Sequence, residues 1–444
     1  MAKTTWVDLL KITSMRKEEN NQEIIKPENF EETLVWYTLT GIYGLYFLGA
    51  QPIFVPIVTW ILAFYLVAKL WQPQINLPEE ERIKIPLIAW IWVVGMLTIF
   101  VALIVSHVTL DAGIGRLIKS IMRWGRGWAL WALLPLIGSC LNIRPKLLYR
   151  AVCIVCLQSL IFMLVAYLAY LINFPGHLFI SPLAKIGGGG PGLYSFDLYM
   201  TEGGNRPRLV LFAPWAPNLA LVALIFLFIS RQESNRNWYL IGMVGSVLMT
   251  FSTISRLAVL CLPAIPFLTW ILTNLSRPAL HYITGSIGFL IGISSHALIE
   301  FAEAAVDKFH SMRPGSSSLR ILLIRLSLDA WWKEARVWGH GFTKEQGPRL
   351  TFSYPIGTSG CGTWVNVLYT NGLVGFIGLI VPFICTFFVL FHKAQKSTIA
   401  KMGLSVFLVF AIFSGTEELD LLAYIYWPGL LALGMAMREE IASA

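Results

Sequence analysis

The chain has 444 residues, of which 56% are hydrophobic and only 13% charged, against about a quarter charged in soluble domains. This composition excludes an ordinary soluble globular protein. The formal net charge of +9 does not point to nucleic acid, because most basic residues fall in short loops between apolar runs, where membrane orientation requires them.

Apolar runs of eighteen or more residues recur along the whole length. They predict an all-α, polytopic integral membrane protein of about twelve transmembrane helices. The first 33 residues are too polar for a signal peptide. Trp6, Leu9, Leu10 and Ile12 there fit one face of an interfacial helix. The predicted spans are 34–50, 52–71, 86–108, 127–143, 147–173, 209–230, 238–256, 257–274, 279–298, 364–391, 398–415 and 420–437, with no internal repeat. The chain thus divides into a cytoplasmic tail 1–33, helices one to nine over 34–298, a large outer loop 299–363, and helices ten to twelve with a cytoplasmic C terminus over 364–444.

Basic residues set the expected orientation. Lys69, Arg82 and Lys84 follow span two, Arg144, Lys146 and Arg150 follow span four, and Arg231 and Arg236 follow span six. Arg277 follows span eight, and Lys393, Lys396 and Lys401 follow span ten. These alternate loops share one side with both termini, the cytoplasmic side by the positive-inside rule. The opposite side holds the outer segments 109–126 and 174–208 and the loop 299–363. It carries Arg116, Arg123, Arg126, Arg206, Arg208, Arg313, Arg320 and Arg325, with Arg256 at the outer end of span seven. Arginines on the translocated side run against the orientation bias, and guanidinium groups bind phosphate oxygens bidentately. For Arg116, Arg123 and Arg126, snorkelling to lipid headgroups is an equal reading. They share a helical face with Lys119, opposite Ile114, Ile118, Ile121 and Met122, as in a helix lying in the interface.

Segment 174–208 reads as flexible around Gly187 to Gly190, and Pro214 and Pro217 prevent a regular helix at the mouth of span six. Of the six cysteines, all but Cys361 lie in predicted spans and read as small core residues. Cys153-x-x-Cys156 lies inside an apolar helix without a second pair or a histidine cluster, so no metal site and no cofactor are expected. Trp331, Trp332, Trp338, Tyr354 and Trp364 fit either sugar stacking or an interfacial aromatic belt.

Three patterns line up in order. Arg208-Leu-Val-Leu-Phe212, followed by Pro217-Asn218, opens span six, and Ser255-Arg256 closes span seven. Ser318-Leu319-Arg320, a helix and Gly339-His340-Gly341 come next; then Gly362-Thr363-Trp364 leads into Asn371-Gly372-Leu373-Val374-Gly375. From Arg206 to Gly375 the chain resembles the O-antigen ligase and O-antigen polymerase family of bacterial envelope proteins. The resemblance implies a metal-independent glycosyltransferase of the inner membrane. It would move a glycan from undecaprenyl diphosphate to an acceptor hydroxyl on the periplasmic face, the acceptor being another glycan or lipid A core. Carried over by position, Arg208, Arg256 and Arg320 would hold the diphosphate, with Arg206 an alternate for Arg208. Asn218, Ser255, Arg313, Arg325, Trp338, His340 and Trp364 complete the expected substrate-binding set. Many members place a histidine in a Gly-Ser-His-Ser-Thr-Tyr/Trp pattern before span ten. The aligned run here is Ser359-Gly360-Cys361-Gly362-Thr363-Trp364. Cys361 is therefore either a thiolate base in the histidine's place or a small residue in a tight turn, and its flanking glycines favour the turn.

Charge builds on the diphosphate as the anomeric bond breaks, and preorganised arginines stabilise it. The acceptor hydroxyl also calls for a base. Asp111, Glu300, Glu303, Asp329, Glu334, Glu417, Glu418 and Asp420 lie on the outer side, and none has a spacing that marks it. Polymerase and ligase share one donor and are not separated by these motifs. A twelve-span secondary transporter is the reading from another class. Such carriers show two related halves, and their common layout has a long cytoplasmic loop after span six. Here that connection is only Arg231 to Asn237.

Overall fold

A computed structural model describes residues 25–72, 82–201, 207–275, 314–342 and 362–438, with isolated positions 277, 282, 285 and 286. In the helix that starts at Pro314, side chains are described from Arg320 onward. The proposed ninth span and Arg206, Arg313 and Cys361 lie outside the described residues, as does the N-terminal interfacial helix.

The described chain is mostly helical. Its helices are α1 (Phe30–Thr40), α2 (Ile42–Phe47), α3 (Gln51–Trp71), α4 (Leu87–Thr109), α5 (Ile114–Arg126), α6 (Trp128–Cys140) and α7 (Pro145–Leu171). They continue with α8 (Ala216–Ser230), α9 (Arg236–Ser252), α10 (Arg256–Thr273), α11 (Pro314–Glu334), α12 (Thr363–Lys393), α13 (Thr398–Phe413) and α14 (Trp427–Arg438). Five of these, α3, α4, α7, α10 and α12, are long and apolar enough to cross a membrane. Their outward faces carry Phe64, Val94, Leu164, Leu260 and Phe388, all exposed. An apolar exterior of this extent calls for a lipid surround.

Local sequence sets many helix starts. Asn29 caps α1 by accepting from the Glu32 N–H at 2.7 Å, and Asn235 and Ser397 cap α9 and α13. Proline opens α3, α7 and α8, where its missing N–H costs nothing. Small residues then allow close crossings. A Cβ on Gly95 of α4 would sit 2.3 Å from the Gly378 carbonyl of α12, so only glycine permits this approach. Helix α8 is buried on nearly every side and forms the centre of the bundle.

Two ends can be told apart. At one, Arg144 pairs with Glu32 at 2.7 Å, Lys69 with Glu31 at 2.9 Å and Arg150 with Glu233 at 2.9 Å, while Arg438 donates to the Leu141 carbonyl. The basic loops singled out in the sequence thus gather with buried acids at this end. The opposite end holds the start of α8, the turn between α9 and α10, and the contact between the start of α12 and the end of α13.

Several boundaries differ from the expectation. Span one is two helices, because Gly41 (φ −86°, ψ 9°) leaves helical geometry between α1 and α2. Span six starts at Ala216, not at 209, since Pro207–Leu209 pairs as a strand and residues 210–214 stay irregular yet buried. Span twelve starts at Trp427, not at 420; residues 414–426 wind through turns instead. The segment expected to be flexible forms two antiparallel pairs: β1 (His177–Ile180) with β2 (Ser195–Asp197), and β3 (Tyr199–Thr201) with β4 (Pro207–Leu209). Its glycine run is fastened, because Arg126 donates to the carbonyls of Gly187 and Gly188. Snorkelling is likewise not the state of Arg123, which reaches Asp420 at 3.4 Å and Glu418 at 3.6 Å. The apolar face of α5 keeps Ile114, Ile118 and Met122 exposed. Helix α5 is thereby held to the bundle through its arginines.

Candidate active site

Strand β4 positions Arg208. The residue is 8% exposed, and its Nε donates to the Thr253 carbonyl at 3.0 Å. That bond ties the approach to α8 to the turn between α9 and α10. Ser255 and Arg256 follow in the same turn, at the cap and first residue of α10, both half-buried. Ser255 makes no side-chain capping bond there. The positive end of the α10 dipole therefore adds to the Arg256 charge.

Two residues in these segments hold left-handed backbone without being glycine: Leu211 (φ 48°), three residues past Arg208, and Ile254 (φ 51°), two before Arg256. Each costs about 1–3 kcal/mol and persists only where the surroundings impose it.

Arg320 comes from α11, distant in sequence. Its charge favours the ionised form of the Glu417 carboxyl in the turn after α13, as does the Trp215 side chain. Trp215 stands at the N-cap position of α8, in the segment that carries Arg208. The Glu417 main chain is fixed by Thr363, whose Oγ1 donates to the Glu417 carbonyl at 2.6 Å and accepts from the Leu419 N–H at 3.0 Å. Thr363 N–H donates to the Ser414 carbonyl at 2.9 Å. Gly362 makes the approach possible: at φ +85° it places its hydrogen where a Cβ would stand 2.5 Å from the Gly415 carbonyl. Beneath the turn, Trp131 packs among Trp92, Phe383, Phe410 and Tyr426 and donates to the Leu419 carbonyl at 3.2 Å. The aromatic core thus fixes the height of the 414–420 turn.

Burial pushes the Glu417 carboxyl up to about 7, although Arg320 and the Trp215 bond act the other way and Glu418 adds to the rise. A carboxyl whose proton affinity is raised in this way is a general acid–base candidate. Sequence spacing gave no sign of it, because its neighbours arrive from α8, α11 and the start of α12.

Asn218 is 1% exposed, and neither its Oδ1 nor its Nδ2 has a hydrogen-bond partner among the described residues. A buried amide of this kind leaves four hydrogen-bonding positions unmet. It lies in the first turn of α8, three residues after Trp215.

Other expected site residues are placed elsewhere. His340 is buried, stacks on Tyr369 at 4.3 Å, and engages the Tyr369 carbonyl at 3.1 Å and Glu334 at 3.0 Å through its two ring nitrogens. It clamps the end of α11 onto α12, which breaks at Gly372 (φ 64°) to receive it, and has no ring nitrogen left for a substrate. Trp364 donates to Ser414 at 2.8 Å and packs its ring on Phe376 and Phe383, so it serves packing, not sugar stacking. Arg325 is exposed, and at about 140° around α11 from Arg320 it does not converge with it. Trp338 is half-buried beside the clamp. A contact not foreseen lies in the β1–β2 pair, where Asp197 takes His177 at 2.6 Å and Ser195 at 2.6 Å.

The described residues are mostly helical, with five helices long and apolar enough to cross a membrane, consistent with an all-α membrane protein. The sequence matches no family model, and no curated protein matches it significantly.

Proposed function

We propose that this chain is a metal-independent glycosyltransferase of the bacterial inner membrane, with twelve spans and its site facing the periplasm. In this reading it takes a glycan from undecaprenyl diphosphate and adds it to an acceptor hydroxyl, polymerising O-antigen or exopolysaccharide repeat units. One observation carries the reading. Arg208 is held to the turn that carries Arg256 by its Nε bond to the Thr253 carbonyl, although the two arginines are far apart in the chain. Planar cations brought together suit a diphosphate leaving group. The resemblance in motif order between Arg206 and Gly375 supports the same class. A ligase acting on lipid A core would use the same donor site, and the acceptor is what separates it from a polymerase.

Glycan analysis of a deletion strain tests the proposal. Single repeat units on lipid A core are the expected product of losing a polymerase. Full-length polymer stranded on undecaprenyl diphosphate would make the chain a ligase. Unchanged envelope glycans would refute both.

A further inference from the structure

Asp329, Glu418 and Asp420 are each committed to a cation, Lys333 for the first and Arg123 for the other two. Asp197 of β2 is committed to an imidazole instead. It is buried, and both of its carboxylate oxygens are taken: Oδ1 accepts from the His177 Nδ1–H at 2.6 Å and Oδ2 from the Ser195 hydroxyl at 2.6 Å. Its main chain is fixed as well, because the Tyr46 hydroxyl of α2 donates to its carbonyl at 3.0 Å and accepts from its N–H at 2.9 Å. Ser195 spends its proton on the carboxylate and not on the ring, so the three residues do not form a nucleophile triad. The imidazole is the open member. With Nδ1 donating to a carboxylate, the neutral ring carries its lone pair on Nε2. The His177 side chain is 54% exposed, and nothing else among the described residues is bonded to the ring.

We propose that His177 is the proton acceptor of the transfer reaction and that Asp197 positions it. This inference rests on the glycosyl-transfer reading above. The acceptor oxygen bonds to the anomeric carbon while the bond from that carbon to the diphosphate oxygen breaks. The bonding electron pair leaves with the diphosphate, and the acceptor's hydroxyl proton passes to His177 Nε2. Asp197 holds the ring in the tautomer that can receive it and stabilises the imidazolium that forms. The pair stands beside the strand that bears Arg208. Leu198 N–H donates to the Gly176 carbonyl at 2.7 Å, a Cβ on Gly176 would lie 2.4 Å from the Tyr199 carbonyl, and Tyr199 is the register partner of Leu209. Residues 176–177, 199 and 208–209 therefore lie side by side. With neighbouring strands about 4.8 Å apart, the His177 and Arg208 backbones are roughly 10–15 Å apart. That span has room for a guanidinium, a diphosphate oxygen, the anomeric carbon and the attacking hydroxyl in series. The acceptor glycan is hydrated and arrives from solvent, which suits an exposed imidazole better than the half-buried Glu417.

The test uses the full chain in lipid, with undecaprenyl diphosphate as the binding probe and a lipid-linked repeat unit as the transfer substrate. His177→Ala should insert normally, since the ring is more than half exposed. It should bind undecaprenyl diphosphate as wild type does, yet slow transfer by about 10²- to 10⁴-fold. Imidazole added to the medium should restore part of that loss, because the position opens to solvent. Asp197→Asn should lower kcat with little change in donor affinity. In the His177→Ala background it should add almost nothing, because the two residues act as one unit; an aspartate that only supports the fold would add its full effect there. His177→Ala that transfers within about threefold of wild type, well short of the loss of a general base, overturns the assignment. So does a loss that imidazole leaves untouched, or an Asp197→Asn defect that persists undiminished without the histidine. A wild-type chain that does not bind undecaprenyl diphosphate refutes the glycosyl-transfer reading itself, a different outcome from these three.

Discussion

Replacing Arg208 separates a structural arginine from a substrate-binding one. Its Nε bond to the Thr253 carbonyl is charge-assisted, 3.0 Å long and largely shielded from water. Such a bond is worth about 1.5–3 kcal/mol. Arg208→Ala should therefore lower the melting temperature of the detergent-solubilised protein by a few degrees and leave it inserted. The effect on transfer should be much larger, about 10²- to 10³-fold, as when one preorganised donor to a developing charge is removed. Lysine restores the charge but neither the Nε donor nor the planar fork, so Arg208→Lys should regain about tenfold at most. Arg208→Ala combined with Arg256→Ala should cost far less than the product of the single losses, because both would act on one diphosphate. The assay is polymer length in a complemented deletion strain, with membrane protein levels measured in parallel. An Arg208→Lys variant with wild-type polymer, together with an Arg208→Ala variant whose only defect is stability, would refute bidentate diphosphate binding.

Other expectations concern orientation, the α12 start and acid stability. Lys333, exposed near the end of α11, should label as Lys333→Cys with a membrane-impermeant maleimide in cells with a permeabilised outer membrane; labelling only after inner-membrane lysis would invert the topology. Gly362→Ala meets a left-handed backbone costing about 1–2 kcal/mol and the Gly415 carbonyl at 2.5 Å, so transfer should be lost, whereas Cys361→Ala should keep most of it. An inactive but inserted Cys361→Ala would restore the thiolate reading. At the basic end, burial raises the Glu32 carboxyl, but the bonds from Arg144 outweigh it and hold the group below its usual value. Its contribution is complete above the ordinary range near about 4.3 and fades as pH falls through the lowered value. Glu32→Gln should lower the melting temperature at pH 7 and flatten its decline on acidification; an unchanged acid limb would contradict this.

The sequence by itself determined the helical membrane class, because long apolar stretches with few charges leave the backbone only helix in which to satisfy its own hydrogen bonds. Arginines against the orientation bias are also visible residue by residue, and the resemblance in motif order picks Arg208, Arg256 and Arg320 from among them. Tertiary structure decided the rest. Whether Pro207–Leu209 extends a helix or pairs as a strand depends on Tyr199–Thr201, and whether residues 420–426 are helical depends on turns fixed by Trp131 and Thr363. His340 and Trp364 look like binding residues in the chain and become packing residues in the fold, because the partners that absorb their polar atoms, Tyr369, Glu334 and Ser414, are brought to them by α11, α12 and the end of α13. The turn that carries Glu417 likewise takes its place only once Thr363 at the start of α12 reaches it. Burial and electrostatic pairing are set by distance in space, and a single sequence carries no record of that distance.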